Sequence, residues 1–239
     1  MTGKAPVIVT RAEPGASETM KRLEALRIVA ILSPMLELVG TDELLPPLTD
    51  VSGLLFTSAN GVRFFARQSD RRDIAAWCVG PATFEAARSH GFLDCKNADG
   101  DGLALAAHII RLANPSDGQL LHVANAAASG DVSQSLKRAG FRTLFAPLYQ
   151  ANPVASLSPE AQMAVEGYGP SVVAIHSAKG AAAFRNAASD LDVSRHVAVG
   201  VSDKAVKAVL EMGFRTVAAA QHPNEDSLLE MIAAVRATL

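Results

Sequence analysis

A phrase of twelve residues occurs twice in this chain, and this repetition constrains the fold more than any other feature. Residues 54–65 read LLFTSANGVRFF, and residues 173–184 read VAIHSAKGAAAF. At an offset of 119 positions, Ser58 matches Ser177, and a glycine and a phenylalanine coincide as well. Each copy has an apolar run, a small polar turn and a helical start, which is typical of a strand–turn–helix unit. The repetition of such a unit over a long interval predicts two similar α/β halves.

A second strand–turn–helix pattern follows each copy, at residues 78–92 (CVGPATFEAARSHGF) and 198–214 (AVGVSDKAVKAVLEMGF). Both patterns end in a Gly–Phe pair, and the same pair recurs in the segment AGFRTLFA. A glycine in the left-handed conformation, followed by an apolar residue, is a common way to end a helix. The pattern therefore predicts helices that end at Gly91, Gly140 and Gly213.

The order of these units predicts how the chain is divided. Residues 7–36 overlay residues 120–149 so that a strand, a helix, a second strand and a proline fall in register. If the first unit pairs with the last, one domain is inserted into the other. We therefore expect a discontinuous α/β domain (1–36 plus 153–239), an inserted α/β domain (38–149) and a hinge near 34–38 and 147–153. Each domain is expected to be a parallel sheet with helices on both faces, because βα units cross over with one hand.

Composition and motif spacing exclude several classes of protein. Hydrophobic residues make up 49% of the chain and charged residues 19%, which favours a packed core. A net charge of −2 argues against a nucleic-acid-binding protein. The six histidines and two cysteines have no metal-binding spacing, and no Gly-rich nucleotide loop is present, so neither a metal nor a cofactor is expected.

The same patterns bear on location. The N-terminal apolar run is too short for a signal peptide, and no run is long enough for a membrane span. Sparse cysteines fit a reducing cytoplasm, and we interpret Cys78 as a buried free thiol in a strand. We also expect the run 7–10 to be a strand buried on both faces, and residues 204–212 to form one helix.

Hydroxyl groups are concentrated at the carboxyl ends of the predicted strands, where open α/β sheets bind ligands. These ends are Thr10–Arg11, Thr57–Ser58, 80–83, 124–125, 176–177 and 200–202. Short hydroxyl side chains and helix N-termini donate hydrogen bonds to anions, so the pattern favours a ligand with many carboxylates or phosphates. A single serine or threonine at a helix start is more commonly a cap. His176 is either an acid–base group or an incidental turn residue.

Taken together and in order, several short motifs resemble the uroporphyrinogen-III synthase family. They are VIVTR (7–11), FTSANGV (56–62), VGPAT (79–83), LKRAGF (136–141), PLY (147–149), HSAKG (176–180) and AVG (198–200). The resemblance covers nearly the whole chain. It implies two flavodoxin-like α/β domains joined by a two-stranded hinge, with the active site in the cleft between them.

The resemblance also implies an activity and its partners. The family closes the linear tetrapyrrole hydroxymethylbilane into a ring with loss of water, inverts the last pyrrole, and uses no metal or cofactor. The substrate carries eight carboxylates, which suits the hydroxyl-rich strand ends. From the sequence patterns we expect a cytoplasmic protein that binds neither nucleic acid nor membrane, and a monomer, because no long apolar stripe is left over once the core is assigned. A transient contact with the deaminase that supplies the substrate is also expected.

The resemblance assigns roles to particular residues. Tyr149 matches the family's tyrosine and is expected to donate a proton to the leaving hydroxyl or to position it; the alternative is a tyrosine that only packs at the hinge. Arg11 is expected to pair with a substrate carboxylate or to brace the hinge. The expected substrate-binding residues are Arg11, Thr57, Ser58, Thr83, Ser177 and Ser202.

Two departures from the family pattern keep an alternative open. Asp203 stands where relatives usually carry a threonine, and a carboxylate there would repel an anionic substrate unless Ser202 binds it or Lys204 pairs with it. The turn 125–128 is rich in alanine where many relatives carry arginine or glycine. The alternative is a non-catalytic two-domain protein that binds a small anion or a tetrapyrrole.

Overall fold

The computed structural model describes residues 5–128 and 130–239. No helix in these two ranges is both long enough and apolar enough to span a membrane. The strands are β1 (Val7–Val9), β2 (Ala30–Leu32), β3 (Leu36–Gly40), β4 (Val51–Phe56), β5 (Ala75–Cys78), β6 (Cys95–Asn97), β7 (Gln119–Asn125), β8 (Arg142–Pro153), β9 (Val172–Ile175), β10 (Val197–Gly200) and β11 (Thr216–Ala219). The helices are α1 (Gly15–Ala25), α2 (Ala59–Gln68), α3 (Pro81–Ser89), α4 (Gly102–Leu112), α5 (Asp131–Arg138), α6 (Pro159–Glu166), α7 (Ala178–Ala187), α8 (Asp203–Val206) and α9 (Glu225–Arg236).

The chain divides into two compact units. Unit 1 comprises Met1–Leu38 and Ala151–Leu239, and unit 2 comprises Val39–Gln150. The division falls inside β3 on the outward passage and inside β8 on the return. Unit 1 is therefore discontinuous in sequence, and unit 2 is a single segment.

The sheet of unit 1 is parallel and is buried on both faces. Among the described residues five strands form it, in the order β11–β10–β9–β1–β2, and every pairing in it is parallel. Val7 and Val9 pack on one face with α1 and α9, whereas Ile8 packs on the other face with α6, α7 and α8. All three side chains are fully buried, which confirms the expectation of a strand that is apolar on both faces.

The sheet of unit 2 has the order β3–β8–β7–β4–β5–β6 among the described residues. The pairings of β7 with β4 and β8, and of β5 with β4 and β6, are parallel. On one face Leu55 and Trp77 pack against α4 and α5. Near α2 and α3, the rings of Phe56, Phe65 and Phe92 pack together with centroids 5.6–6.0 Å apart. The prediction of α/β architecture with parallel sheets is confirmed.

Two of the three Gly–Phe pairs end α-helices as predicted, at Gly91 and Gly140, whereas Gly213 follows a turn after the short 3₁₀ segment Lys207–Val209. Gly91, Gly140 and Gly213 have φ of +88°, +87° and +84°, a left-handed conformation that favours glycine. At the first two sites the next residue donates its N–H back into the last turn, from Phe92 to Ala87 O and from Phe141 to Leu136 O. The backbone then turns sharply enough to enter the following strand.

Three elements differ from the sequence-based expectation. The helix expected over 204–212 is wrong: α8 ends at Val206, and Lys207–Val209 continues as a 3₁₀ turn. Valines at 206 and 209 are stiff at χ1 and favour helix weakly, which fits this tightening. The short strands β3 and β6 have no clear period of alternation, and the sequence pattern does not predict them.

Candidate active site

Three serines in corresponding turns adopt the same backbone conformation and cap the helices that follow. Ser58, Ser177 and Ser202 have φ/ψ of −161°/156°, −160°/154° and −165°/162°. Their Oγ atoms accept the third backbone N–H of α2, α7 and α8, at 3.2, 3.0 and 3.3 Å. The capping role expected of such residues is confirmed. Their contact with a substrate stays a prediction.

Tyr149 lies at an irregular point of β8 in unit 2. The pairing of β7 with β8 runs from Val123 opposite Ala146 to Asn125 opposite Tyr149, so β8 carries one extra residue in this interval. Pro147 lies in this interval and has no N–H to donate to a ladder, and bulges of this kind turn a side chain to a new direction. The side chain of Tyr149 is directed toward the turn between β4 and α2.

The hydroxyl of Tyr149 is hydrogen-bonded to a helix cap. Its Oη lies 2.8 Å from Ser58 Oγ. Its ring stacks on Phe64 of α2, with centroids 4.8 Å apart and planes 9° from parallel. Burial raises the pKa of the Tyr149 phenol, and the hydrogen bond with Ser58 and the backbone at Asn125 offset only part of that rise. The phenol is therefore protonated at neutral pH.

The turn that follows β7 is tied to the backbone of Tyr149. The Ala126 N–H donates to Tyr149 O at 2.8 Å. Asn125 Oδ1 accepts from the Ala127 N–H at 2.8 Å, which closes the turn on itself. The Ala-rich segment 125–128 thus bonds to the backbone of Tyr149 through a backbone N–H, and this contact needs no long side chain.

Thr57 and Thr83 are the other hydroxyl residues expected in unit 2. Thr83 lies in the first turn of α3 and is buried. Thr57 follows β4, and its Oγ1 lies 3.2 Å from His122 Nε2. Burial lowers the pKa of His122 to about 4, so this imidazole is neutral at pH 7. His122 Nδ1 lies 3.5 Å from Ser133 Oγ, and the ring therefore links two hydroxyls inside unit 2.

In unit 1, three polar side chains surround Glu225, which lies at the start of α9. Glu225 Oε1 accepts from Thr19 Oγ1 at 2.6 Å, and Oε2 accepts from Arg11 Nη1 at 3.2 Å. His176 Nε2 lies 3.2 Å from the same Oε2. Neither ring nitrogen of His176 has an aligned hydrogen-bond partner among the residues that the structure describes, so the imidazole lies close to the carboxylate without hydrogen-bond geometry.

The neighbours of Glu225 determine its ionisation. Burial alone would raise the pKa of Glu225, but His176, Thr19 and Arg11 outweigh it and bring the pKa to about 2. The carboxylate is therefore charged at all physiological pH values. Its partner Arg11 lies directly on the first residue of α1, since a Cβ at Gly15 would fall 2.4 Å from Arg11 Nε. Arg11 thus has a protein carboxylate as partner, and its contact with a substrate stays a prediction.

The remaining expected residues of unit 1 lie at the ends of β9 and β10. Ser177 follows β9, and Lys179 in the same turn donates its Nζ to Ala151 O. Ser202 follows β10, with Asp203 in the first turn of α8. Asp203 is exposed, and a carboxylate in a first helical turn interacts favourably with the backbone dipole. Within the described residues, no group of three or more His, Cys, Asp or Glu could hold a metal ion.

A comparison with models of protein families identifies the family of this chain. The model described as Uroporphyrinogen-III synthase HemD matches residues 17–230. The chain belongs to the uroporphyrinogen-III synthase family. Nothing among the curated proteins matches it. The family match spans most of the sequence of both units, so it does not depend on a single motif.

Solved structures of this family share the fold. Uroporphyrinogen-III synthetase from Helicobacter pylori is 15% identical with a TM-score of 0.69, over 97% of this chain and 99% of that one. A mutant uroporphyrinogen III synthase from Thermus thermophilus is 14% identical with a TM-score of 0.52, over 98% and 99%. At such low identity these likenesses bear on the fold alone.

Membership in the uroporphyrinogen-III synthase family gives the activity. The chain is a cyclising lyase of heme biosynthesis, which closes hydroxymethylbilane with loss of water and inversion of the last pyrrole ring. The resemblance seen in the sequence is confirmed. The non-catalytic binding protein is not favoured.

Several residues of these clusters have no signal in the sequence. His122 lies inside the apolar run LLHVA, where a single histidine resembles an ordinary buried residue. Phe64 reads as one of two adjacent core phenylalanines, and Glu225 as a first-turn acid of a helix. Their contacts depend on the strand order, which places α9 beside α1 and Tyr149 beside α2.

Proposed function

We propose that Tyr149 donates the proton that turns the leaving hydroxyl of hydroxymethylbilane into water. The observation that carries this proposal is the phenol itself: it is buried, it has a raised pKa, and its oxygen lies 2.8 Å from Ser58 Oγ. The phenol is therefore protonated at neutral pH, and its contact with Ser58 fixes the place of its oxygen. A general acid must be protonated and positioned before the bond to the leaving group breaks.

The proton balance of the reaction fits a single acid that recovers its proton. As the C–O bond breaks, the oxygen keeps the bonding electrons and takes the proton of Tyr149, which leaves a phenolate and a cationic terminal pyrrole. The substituted carbon of the last ring then attacks, and the resulting spiro intermediate breaks open and recloses. The ring carbon that forms the final bond loses its proton, and we propose that the phenolate takes it back. Apart from water, nothing is released.

We further propose that Arg11 and hydroxyl-bearing residues at the strand ends contact the substrate. The residues are Thr57, Ser58 and Thr83 in unit 2, and Arg11, Ser177 and Ser202 in unit 1. Support comes from their position at the carboxyl ends of parallel strands, which is where open α/β sheets bind ligands. Backbone N–H groups at the starts of α2 and α7 would add donors for the substrate carboxylates.

The chain passes between the two units twice, once in β3 and once in β8. We propose that β3 and β8 form a two-stranded hinge between a discontinuous domain and an inserted domain. The division within both strands, between Leu38 and Val39 and between Gln150 and Ala151, supports this. We also propose a cytoplasmic monomer that meets the deaminase only transiently; the two cysteines, both free thiols, fit a reducing compartment.

The test is replacement of Tyr149 by phenylalanine, which keeps the stack on Phe64 but removes the acid. Porphobilinogen and its deaminase supply the substrate, and the porphyrin isomers are separated after oxidation. The wild type should give isomer III, and Tyr149→Phe should lower kcat about 10²- to 10⁴-fold, the range for loss of a general acid. The control is Tyr168→Phe, since Tyr168 is fully exposed. A Tyr149→Phe variant with the full rate would contradict the proposed role.

A further inference from the structure

We propose that Ser58 is a positioning residue for the reaction, whose hydroxyl donates its hydrogen to the oxygen of Tyr149 and so leaves the phenol hydrogen free for the substrate. This inference rests on the proposed role of Tyr149. It gives Ser58 a different part from the other hydroxyls of the site, because its single hydrogen serves the tyrosine and not a substrate carboxylate.

The capping geometry of Ser58 leaves its hydrogen available. Ser58 Oγ accepts the Gly61 N–H at 3.2 Å, which uses a lone pair and not the hydrogen. The hydroxyl can rotate that hydrogen toward Tyr149 Oη, at 2.8 Å. In the opposite arrangement Tyr149 would donate its only hydrogen to Ser58, and the proton required by the reaction would be held within the protein.

The backbone at Asn125 also acts on this phenol, because it favours the ionised form of Tyr149. Asn125 is fixed by the hydrogen bond that its side chain accepts from the Ala127 N–H. A phenol oxygen that accepts from Ser58 directs its own hydrogen away from that serine, and the phenolate left after proton donation would keep this donor. Hydrogen bonds to a developing anion are the stronger ones.

The ring of Tyr149 is held so that its oxygen stays at this place. Phe64 stacks on one face of the ring, and Arg67 lies over Phe64 with its guanidinium carbon 4.6 Å from the ring centroid. The irregular pairing of β8 after Ala146 fixes the backbone from which the ring projects. Ser58 therefore meets a tyrosine with little freedom to turn away.

The sequence repeat supplies a matched control. Ser177 caps α7 with backbone angles within a few degrees of those at Ser58 and accepts the Gly180 N–H at 3.0 Å. The chain has only two tyrosines, Tyr149 and Tyr168, and Tyr168 is fully exposed. Loss of the hydroxyl at Ser177 thus removes an equivalent cap but no contact to a phenol.

The experiment measures the pKa of Tyr149 directly. The full-length protein is produced with 3-fluorotyrosine, and the two ¹⁹F resonances are followed against pH; Tyr168→Phe assigns them. Fluorine lowers the pKa of a phenol, which brings the titration into a milder pH range. We expect Ser58→Ala to raise the pKa of Tyr149 by about one unit or more, the size expected for loss of a hydrogen bond to a charged oxygen. Ser177→Ala should leave it unchanged, and Ser58→Thr, which keeps a hydroxyl, should restore it.

The sign of the shift decides the direction of the hydrogen bond. If Tyr149 donates to Ser58, the bond stabilises the neutral phenol, and Ser58→Ala would lower the pKa. A lowered or an unchanged pKa in Ser58→Ala would therefore overturn the inference.

The titration and the kinetic assay test the two proposals separately. If Ser58→Ala raises the pKa but Tyr149→Phe keeps the full rate, the hydrogen bond exists and the acid role is wrong. If Tyr149→Phe loses activity but Ser58→Ala leaves the pKa unmoved, the acid role holds and the inference about Ser58 is wrong.

Discussion

Replacement of Glu225 by glutamine should remove part of the acid sensitivity of this protein. The pKa of Glu225 falls from its ordinary 4.5 to about 2 in the folded protein. A folded pKa below the unfolded one contributes stability that is fully present above the unfolded pKa and is lost as pH falls through the folded pKa. At about 1.4 kcal/mol per unit, the carboxylate contributes about 3 kcal/mol above pH 5, of which about 2 kcal/mol is lost by pH 3.

Glutamine is the appropriate substitution because it keeps the shape and one acceptor. Thr19 can still donate to the amide oxygen, whereas the charge that pairs with Arg11 and His176 is gone. Arg11 is about one-third exposed, so water can solvate its guanidinium in the variant. We therefore expect a folded protein whose stability at neutral pH is lower than that of the wild type.

The measurement is urea unfolding at several pH values between 7 and 3, followed by far-ultraviolet circular dichroism, which reports both units. The gap between the wild type and Glu225→Gln should be about 3 kcal/mol at pH 7 and should shrink by about 2 kcal/mol at pH 3. Glu230→Gln removes an exposed carboxylate from the same helix and should follow the wild type at every pH. A gap for Glu225→Gln that stays constant with pH would refute the reasoning.

Two further predictions concern unit 2. Burial lowers the pKa of His122 from 6.5 to about 4, so protonation of His122 opposes folding as pH falls through this range. Between pH 7 and pH 4 the free energy of unfolding of the wild type should fall by about 3 kcal/mol relative to that of His122→Gln. Parallel pH profiles of the two proteins would contradict this. A Cβ at Gly61 would lie 2.7 Å from the backbone oxygen of Val123, whereas one at the repeat counterpart Gly180 would lie 3.1 Å from a serine side chain. Thermal unfolding should therefore show a larger loss for Gly61→Ala, by about 1–3 kcal/mol, than for Gly180→Ala, and equal losses would argue against the contact with Val123.

The local parts of the fold could be predicted because short-range chemistry determines them. A serine two or three residues after an apolar run, with a glycine three positions on, caps α2 and α7 wherever the rest of the chain lies. The Gly–Phe pairs that follow α3 and α5 end those helices for the same reason, since only glycine adopts φ near +90° at no steric cost. The continuous apolar run at 7–9 similarly indicates a strand covered on both faces.

The side-chain partners could not be predicted, because they depend on which elements become neighbours. Arg11 and Glu225 are separated by 214 positions and meet only because β1 lies inside the sheet and α9 packs beside α1. Tyr149 meets Ser58 because β7 lies between β4 and β8 and because β8 gains a residue after Ala146. The same local signal, a serine cap, therefore gives no indication that only the copy at Ser58 contacts a phenol.

The strand order of unit 1 also has a consequence for synthesis on the ribosome. β1 emerges before β2, and it can pair with β2 on one edge as soon as that strand follows. Its other edge pairs with β9 (Val172–Ile175), which is made only after all of unit 2. The inserted unit is thus complete and able to fold while a fully apolar strand still lacks one of its two neighbours. During that interval the nascent chain exposes an unpaired strand edge that can aggregate, and about 140 more residues must be translated after β2 before β9 can pair with it.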